Sequence, residues 1–181
     1  MLYRGISKQA DEANAGRLVP KGNSVEVALK ADGKCSYDGT FKFGRCESNT
    51  ARAHQIESGL YGGCGISTSR SEDIAIHFAT SNGIEEGYVY VIDEELLEAA
   101  GVVAYEFPDP LKPHHQEVTL MMKSGGPLPE SVIINKYAVG SDGKRTSPCG
   151  NADLAHKAAQ GRITSTLGLQ TNDSVSIGIR N

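Results

Sequence analysis

The run Gly65-Ile66-Ser67-Thr68-Ser69-Arg70-Ser71-Glu72-Asp73, passing at once into Ile74-Ala75-Ile76-His77-Phe78-Ala79, constrains this chain more than any other stretch. Its short apolar entry predicts a strand, and the amphipathic segment that follows predicts a helix over 72–81. A strand that runs directly into a helix gathers backbone donors and hydroxyls at one junction. Two readings of those hydroxyls stand. They are helix N-caps, with Ser71 followed by acidic residues in the first turn, or they line a site for a polar ligand.

The chain has 181 residues, enough for one domain with a real core and short for two. It has no Trp, so the core must rest on Val, Ile, Leu and seven Tyr; its 21 Gly and seven Pro point to many turns and short strands rather than a helical bundle. The net charge of −4 and the lack of a basic stripe argue against a general binder of nucleic acids or membrane surfaces. Cys35, Cys46, Cys64 and Cys149 form no zinc spacing, and two disulfides or free buried thiols both fit them. No run approaches the roughly 18 apolar residues of a membrane span, and no charged-then-apolar pattern reads as a signal peptide. The start at Leu2-Tyr3-Arg4, one residue after Met1, suggests a domain cut from a larger protein.

Residues 8–18 read as a surface helix closed by Gly16. Ser24–Lys30 alternates as a strand, a second short strand is expected at 40–43, and Ser48 is expected to cap a helix through 50–57. Tyr88–Ile92 is the clearest strand, Asp93–Ala100 a helical turn, and Val102–Phe107 another strand. Pro108, Pro110 and Pro113 then break the chain before a strand spanning His114–Met121. Further strands are expected at Val132–Ile134 and, beyond 138, at 174–179, with a helix at 152–160. Strands outnumber helices and the two are partly segregated, which favours an α+β fold.

Three features matter together: Arg4 at the end of a first strand, Ser67-Thr68-Ser69, and Glu117 leading a later strand. Leu18-Val19-Pro20-Lys21-Gly22, Tyr88-Val89-Tyr90-Val91-Ile92 and Gln116-Glu117-Val118 accompany them in order. This arrangement, over roughly residues 2–137, resembles the Arg–Ser-Thr-Ser–Glu signature of the mono-ADP-ribosyltransferases, in the branch of the cholera and heat-labile enterotoxin A subunits. The resemblance implies a split β-sandwich of two packed, mainly antiparallel sheets with flanking helices, in a single domain over 1–181 with a C-terminal extension from 138. It implies NAD+ as co-substrate.

The chemistry explains the residue types. A guanidinium offers a planar fork to the pyrophosphate or ribose oxygens of NAD+, the role the resemblance gives Arg4. Breaking the nicotinamide–ribose bond builds positive charge on the sugar, and a carboxylate placed there, Glu117, stabilises it. Ser67 is expected to hydrogen-bond Glu117, with Thr68 and Ser69 shaping the nicotinamide pocket. Gly5 would bind the nicotinamide amide through its backbone, where close approach meets no side chain. Tyr3 and Tyr61 are candidates to stack on a ring of NAD+, and core or rim packing is the alternative for both.

Arginine-modifying relatives carry Glu two residues before the catalytic Glu, whereas this chain has His115. Side chains two apart on a strand share a face, so His115 is expected to look into the same site as Glu117, where a neutral imidazole acts as a general base near pH 7 or holds a ribose. Arginine specificity is thereby in doubt. His114 is expected to point away and His77 to pack or face solvent. His54 lies roughly where enterotoxin-type members have a functional His, at a different spacing. Glu85-Glu86 and Glu94-Glu95 read as solvated charge.

The expected activity is transfer of ADP-ribose from NAD+ to a macromolecule, a protein side chain before RNA or DNA. The resemblance and the domain-like start together suggest the toxic part of a secreted bacterial effector, acting in a target cell's cytoplasm and countered by a cognate immunity protein. NAD+ glycohydrolysis by the same residues, or a catalytically inactive binding module, are the alternatives.

Overall fold

The computed structural model describes residues 1–29 and 44–146, which fall within one compact unit, Met1–Ser147. The strands expected at 40–43 and 174–179, the helix at 152–160, and Cys35 and Cys149 lie outside the described residues. Six strands form the framework: β1 (Leu2–Ser7), β2 (Ile66–Ser69), β3 (Gly87–Ile92), β4 (Val102–Tyr105), β5 (Glu117–Met122) and β6 (Ile133–Val139). Among the described residues three α-helices accompany them: α1 (Lys8–Ala13), α2 (Glu47–Ile56) and α3 (Glu72–Ala79). All pairings are antiparallel, in the order β4-β5-β2-β1-β3-β6, an α+β fold.

The sheet is joined unevenly. β1 pairs with β3 along its whole length, and β2 pairs with β5 along its own, but β1 and β2 share the single register pair Tyr3–Ser69. Two three-stranded halves therefore part at the centre, which is the split the resemblance implies.

Alternation decides what each face buries. Leu2, Ile66, Tyr90, Ile92, Val118 and Leu120 build the main core on one face. On the other, α3 covers Val89 and Val139 through Ala75 and Ala79, while Ala51 of α2 packs with Cys64 and Met121. The α3 contact is backbone on backbone. A Cβ at Gly5 would stand 1.8 Å from the Ala75 carbonyl oxygen, and one at Gly87 2.0 Å from that of Ala79. Glycine on the strands and alanine one turn apart on the helix bring α3 down onto the β1–β3 pair.

Several expected boundaries move. α1 ends at Ala13 because Ala15 and Gly16 turn to positive φ (51° and 71°) and Gly16 N–H closes on the Asp11 carbonyl. Of the strand expected over Ser24–Lys30, the described residues 24–29 make only isolated bridges, at Ser24 and Val27. The reason is Thr50 of α2. Its hydroxyl donates to the Val25 carbonyl at 2.7 Å and accepts from Val27 N–H at 2.9 Å, satisfying backbone groups a neighbouring strand would otherwise take. Ser48 is not a cap, since α2 starts at Glu47 with Cys46 before it. Ser71 does cap α3, accepting from Ile74 N–H at 3.4 Å, while positive φ at Ser81 and Asn82 prevents the helix from continuing. β4 stops at Tyr105, and β6 runs from Ile133 to Val139, into the segment expected to be an extension. No helix among the described residues is long and apolar enough to cross a membrane.

Candidate active site

Where β1 and β2 part, a cavity of ≈ 420 Å³ opens, walled by β1, β2 and the start of β5, by the end of α2 and by α3. Tyr3, Arg4, Gly5, Ser67, Thr68, Ser69, His115 and Glu117 all line it. The structure thus brings every residue singled out for the site to one cleft, apart from Tyr61. Tyr61 packs beside Val27, Leu29 and Ala53, away from the cleft lining, so it fills the core and does not stack on a ligand ring there.

By alternation Arg4 belongs with Leu2 on the main-core face. The gap between β1 and β2 gives its guanidinium another course: Nη1 donates to the Ser67 carbonyl at 3.0 Å. That bond spans the opening just beyond the last backbone pair. Burial pulls the Arg4 guanidinium down from its ordinary pKa, and the nearby Glu117 carboxylate works against that, so it stays charged.

Across β2 and β5, Ser69 stands opposite Glu117 and Ser67 opposite Thr119. The expected Ser67–Glu117 hydrogen bond is absent among the described residues, because register sets the two diagonally. Thr119 supplies the hydroxyl near Glu117, at 3.4 Å from Oε1. Ser67 Oγ instead meets His54 Nε2 at 2.9 Å. Thr68 and Ser69 donate to the carbonyls of Val118 and His115 at 2.6 and 2.7 Å, so these two hydroxyls shape the strands.

His54 is the residue sequence reasoning undervalued. It lies on α2, is 4 % exposed, and lines the cleft. A Cβ at Gly65 would come within 2.6 Å of its ring, so glycine two residues before Ser67 is what lets the imidazole lie against β2. Burial, with Arg4 and Lys21 adding to it, pushes the imidazole down to about 4. The ring is neutral at pH 7. Its Nδ1 is buried without a partner, so the tautomer assigned by this network carries its proton on Nε2, since a bare buried lone pair costs less than an unpaired N–H. Ser67 Oγ then accepts from His54 and keeps its own proton to donate. The Gln55 amide, next along α2, is also buried without a partner.

His115 reaches the cleft by a route other than the one expected. It does not share a strand with Glu117; Pro113–His115 form a 3-10 turn and Gln116 has a φ of 46°. The ring sits edge-on to Phe78, centroids 5.2 Å apart, with His114 at 4.3 Å on another side. Burial first, then His114 and Lys112, hold this imidazole below its ordinary pKa against the pull of Glu117. Gly5 lines the cleft too, but its missing Cβ makes room for α3 rather than for a ligand. Lys21, Lys112 and the half-exposed Phe78 complete the rim. Nothing in their sequence context marked Lys112 or Phe78. No group of three or more His, Cys, Asp or Glu among the described residues is placed to hold a metal.

A family model, NarE, matches residues 1–120. The chain belongs to the NarE family. That family is one of ADP-ribosyltransferases, and the enzyme class of this NarE-family chain follows at that level. No curated protein matches the chain in sequence. Among solved structures it is similar to heat-labile enterotoxin with altered active-site-loop flexibility (20% identity, 82% of this chain and 71% of that one, TM-score 0.44). It is also similar to a double-cysteine variant of heat-labile enterotoxin (24%, 81% and 59%, 0.47). A third is an E. coli heat-labile enterotoxin with a substituted buried residue (22%, 82% and 73%, 0.43).

Proposed function

We propose that this chain cleaves NAD+ at the nicotinamide–ribose bond and transfers ADP-ribose to a macromolecular acceptor, a protein side chain. The observation that supports this reading is the convergence of Arg4, the His54–Ser67 pair and Glu117 on one cleft, drawn from both halves of the split sheet.

The lining fits the substrate. Arg4, Lys21 and Lys112 give the cleft three cationic groups for a pyrophosphate. The cavity is within the range of roughly 300–1,000 Å³ common for small-molecule sites. Glu117 is the carboxylate positioned to stabilise positive charge developing on the ribose. Ser67, steadied by a neutral His54, offers a hydroxyl proton to a sugar oxygen or to Glu117 once substrate draws them together. Tyr3, Gly5, Thr68 and Ser69 form the wall behind the nicotinamide ring. The family further supports a toxin-like protein delivered to a target cell, for which a cognate immunity protein is the corresponding partner.

The test is incubation with adenylate-labelled NAD+ and cell lysate, alongside a folded Glu117→Gln variant. Replacing the carboxylate is expected to lower nicotinamide release on the order of 10²–10³-fold. Nicotinamide release with no labelled macromolecule would assign NAD+ glycohydrolysis instead, and no turnover by the wild-type chain would leave a binding module.

A further inference from the structure

The Glu106–Gln116 loop forms the lip of the cleft beside Glu117, while the end of α2 lines it with His54, Gln55, Ile56 and Ser58. Gln55 is 6 % exposed, and neither its Nε2 nor its Oε1 has a hydrogen-bond partner. A buried donor and acceptor left unpaired are costly, whereas an apolar side chain of the same shape would be neutral or stabilising there. Folding alone therefore gives no reason for a carboxamide at this position. In the wall of a cleft, the reason is a ligand that pairs with it.

A carboxamide sets donors beside an acceptor, so its complement presents an acceptor beside a donor. A nicotinamide dinucleotide has two such groups. One is the nicotinamide carboxamide; the other is the adenine edge made by the exocyclic amino group and a ring nitrogen, which glutamine pairs with through two hydrogen bonds. Position decides between them. The nicotinamide half belongs at Glu117, where the bond to ribose breaks. Glu117 acts on the charge of Arg4, and Arg4 and Lys21 act on that of His54, the neighbour of Gln55 on α2. That order sets Gln55 beyond the cations that take the pyrophosphate, on the side where the adenosine half comes. Half-buried Ile56 lines the cleft next to it and offers an apolar side chain to the face of a base.

We infer that Gln55 is a specificity-determining residue that reads the adenine of the dinucleotide. Its amide turns about the broad outer torsion of the side chain, accepts from the adenine amino group on Oε1 and donates from Nε2 to the neighbouring ring nitrogen. This rests on the use of NAD+ proposed above.

Binding is titrated by calorimetry with full-chain protein carrying Glu117→Gln, which slows cleavage of NAD+, with and without Gln55→Met. The probes are NAD+, ADP-ribose, which keeps the adenine and lacks nicotinamide, and nicotinamide mononucleotide, which does the reverse. Gln55→Met should weaken NAD+ and ADP-ribose roughly tenfold or more, the worth of two neutral hydrogen bonds. It should leave nicotinamide mononucleotide unchanged, and the melting temperature of the unliganded protein equal or higher. A loss confined to the mononucleotide, or a lower melting temperature with ADP-ribose binding unchanged, would overturn the inference. Should Gln55→Met not fold, the chain with native Gln55 still decides. Etheno-NAD+, whose adenine amino group and neighbouring ring nitrogen are bridged, should bind it roughly tenfold or more weakly than NAD+, and equal affinity would overturn the inference. If that chain binds neither NAD+ nor ADP-ribose, the NAD+ reading itself falls, and this inference with it.

Discussion

At the scale of single residues the cleft is governed by what His54 is not allowed to do. A second proton on its ring would sit on buried Nδ1 with no acceptor, beside Arg4 and Lys21. Folding therefore holds the ring neutral. The native pKa of about 4 lies below the unfolded value of 6.5, so as pH falls the unfolded chain takes up the proton first. Stability from this source is fully present above pH 6.5 and is lost between pH 6.5 and 4, up to about 3 kcal/mol. Urea unfolding at pH 7 and pH 4.5 should show that loss in the wild type and a smaller one in His54→Asn. Equal losses would mean that the imidazole is not buried neutral. Arg4, Ser67 and Glu117 were legible in the sequence because their chemistry is tied to residue type and order. The importance of His54 was not, because it depends on Gly65 leaving room for the ring. Nor was the partner of Ser67, since strand register chooses His54 over Glu117 and no local pattern encodes register.

At the scale of elements, the recurrent device is an anchor that crosses from one element to the next. The Glu106–Gln116 loop has no regular structure apart from one 3-10 turn, yet it is tied along its length. Arg70 holds both ends, its guanidinium on Glu106 and its backbone N–H on the Gln116 carbonyl at 3.1 Å. Arg52 holds the middle through Asp109 and lies 3.8 Å above the Phe107 ring, while Ser69 fixes the His115 carbonyl. Such exposed pairs contribute little to overall stability, about 0–1 kcal/mol each. Their effect is on where Lys112 and His115 stand. Arg70→Ala should therefore leave the melting temperature nearly unchanged while lowering transfer to the acceptor roughly tenfold or more through misplacement of the lip. Arg70→Lys, which keeps the charge without the fork, should restore only part of it. A parallel fall in melting temperature would mark Arg70 as structural instead. The helices' existence could be read from composition, flanking glycines and, for α3, amphipathic spacing, and the Ser71 cap from its type. The clamp could not, since its members lie far apart in sequence and none belongs to a motif.

At the scale of the whole molecule, the split of the sheet creates the site, and the segment that follows β6 bears on how that split is held. Arg4 comes from one half, Ser67 and Glu117 from the other, and α3 packs on β1 while it leads out of β2. The N-terminal end of α3 is fastened from the far side: Glu72 accepts from Tyr137 and from Arg145 at 2.6 Å, and Arg145 stacks 3.9 Å above the Tyr137 ring. Arg145 also bridges to Val139, and Thr146 N–H reaches the Ala138 carbonyl. Backbone pairing thus continues through Thr146, beyond residue 137 where the sequence resemblance ends. A chain ending at Ser147 keeps all six strands, every cleft residue and this fastening. It should unfold in one cooperative step and release nicotinamide at close to the full-chain rate. A chain ending at Tyr137 loses the Tyr88–Ala138 and Gly87–Val139 pairs, the Arg145 tie and the burial of Val139, which is 1 % exposed. Burial of that valine alone is worth about 1.5–3 kcal/mol, or several degrees of melting temperature in a domain of this size. Comparing the two truncations by calorimetry and nicotinamide release separates the alternatives: equal stability would put the boundary back at 137, and loss of activity in both would mean that residues beyond 147 belong to the catalytic unit.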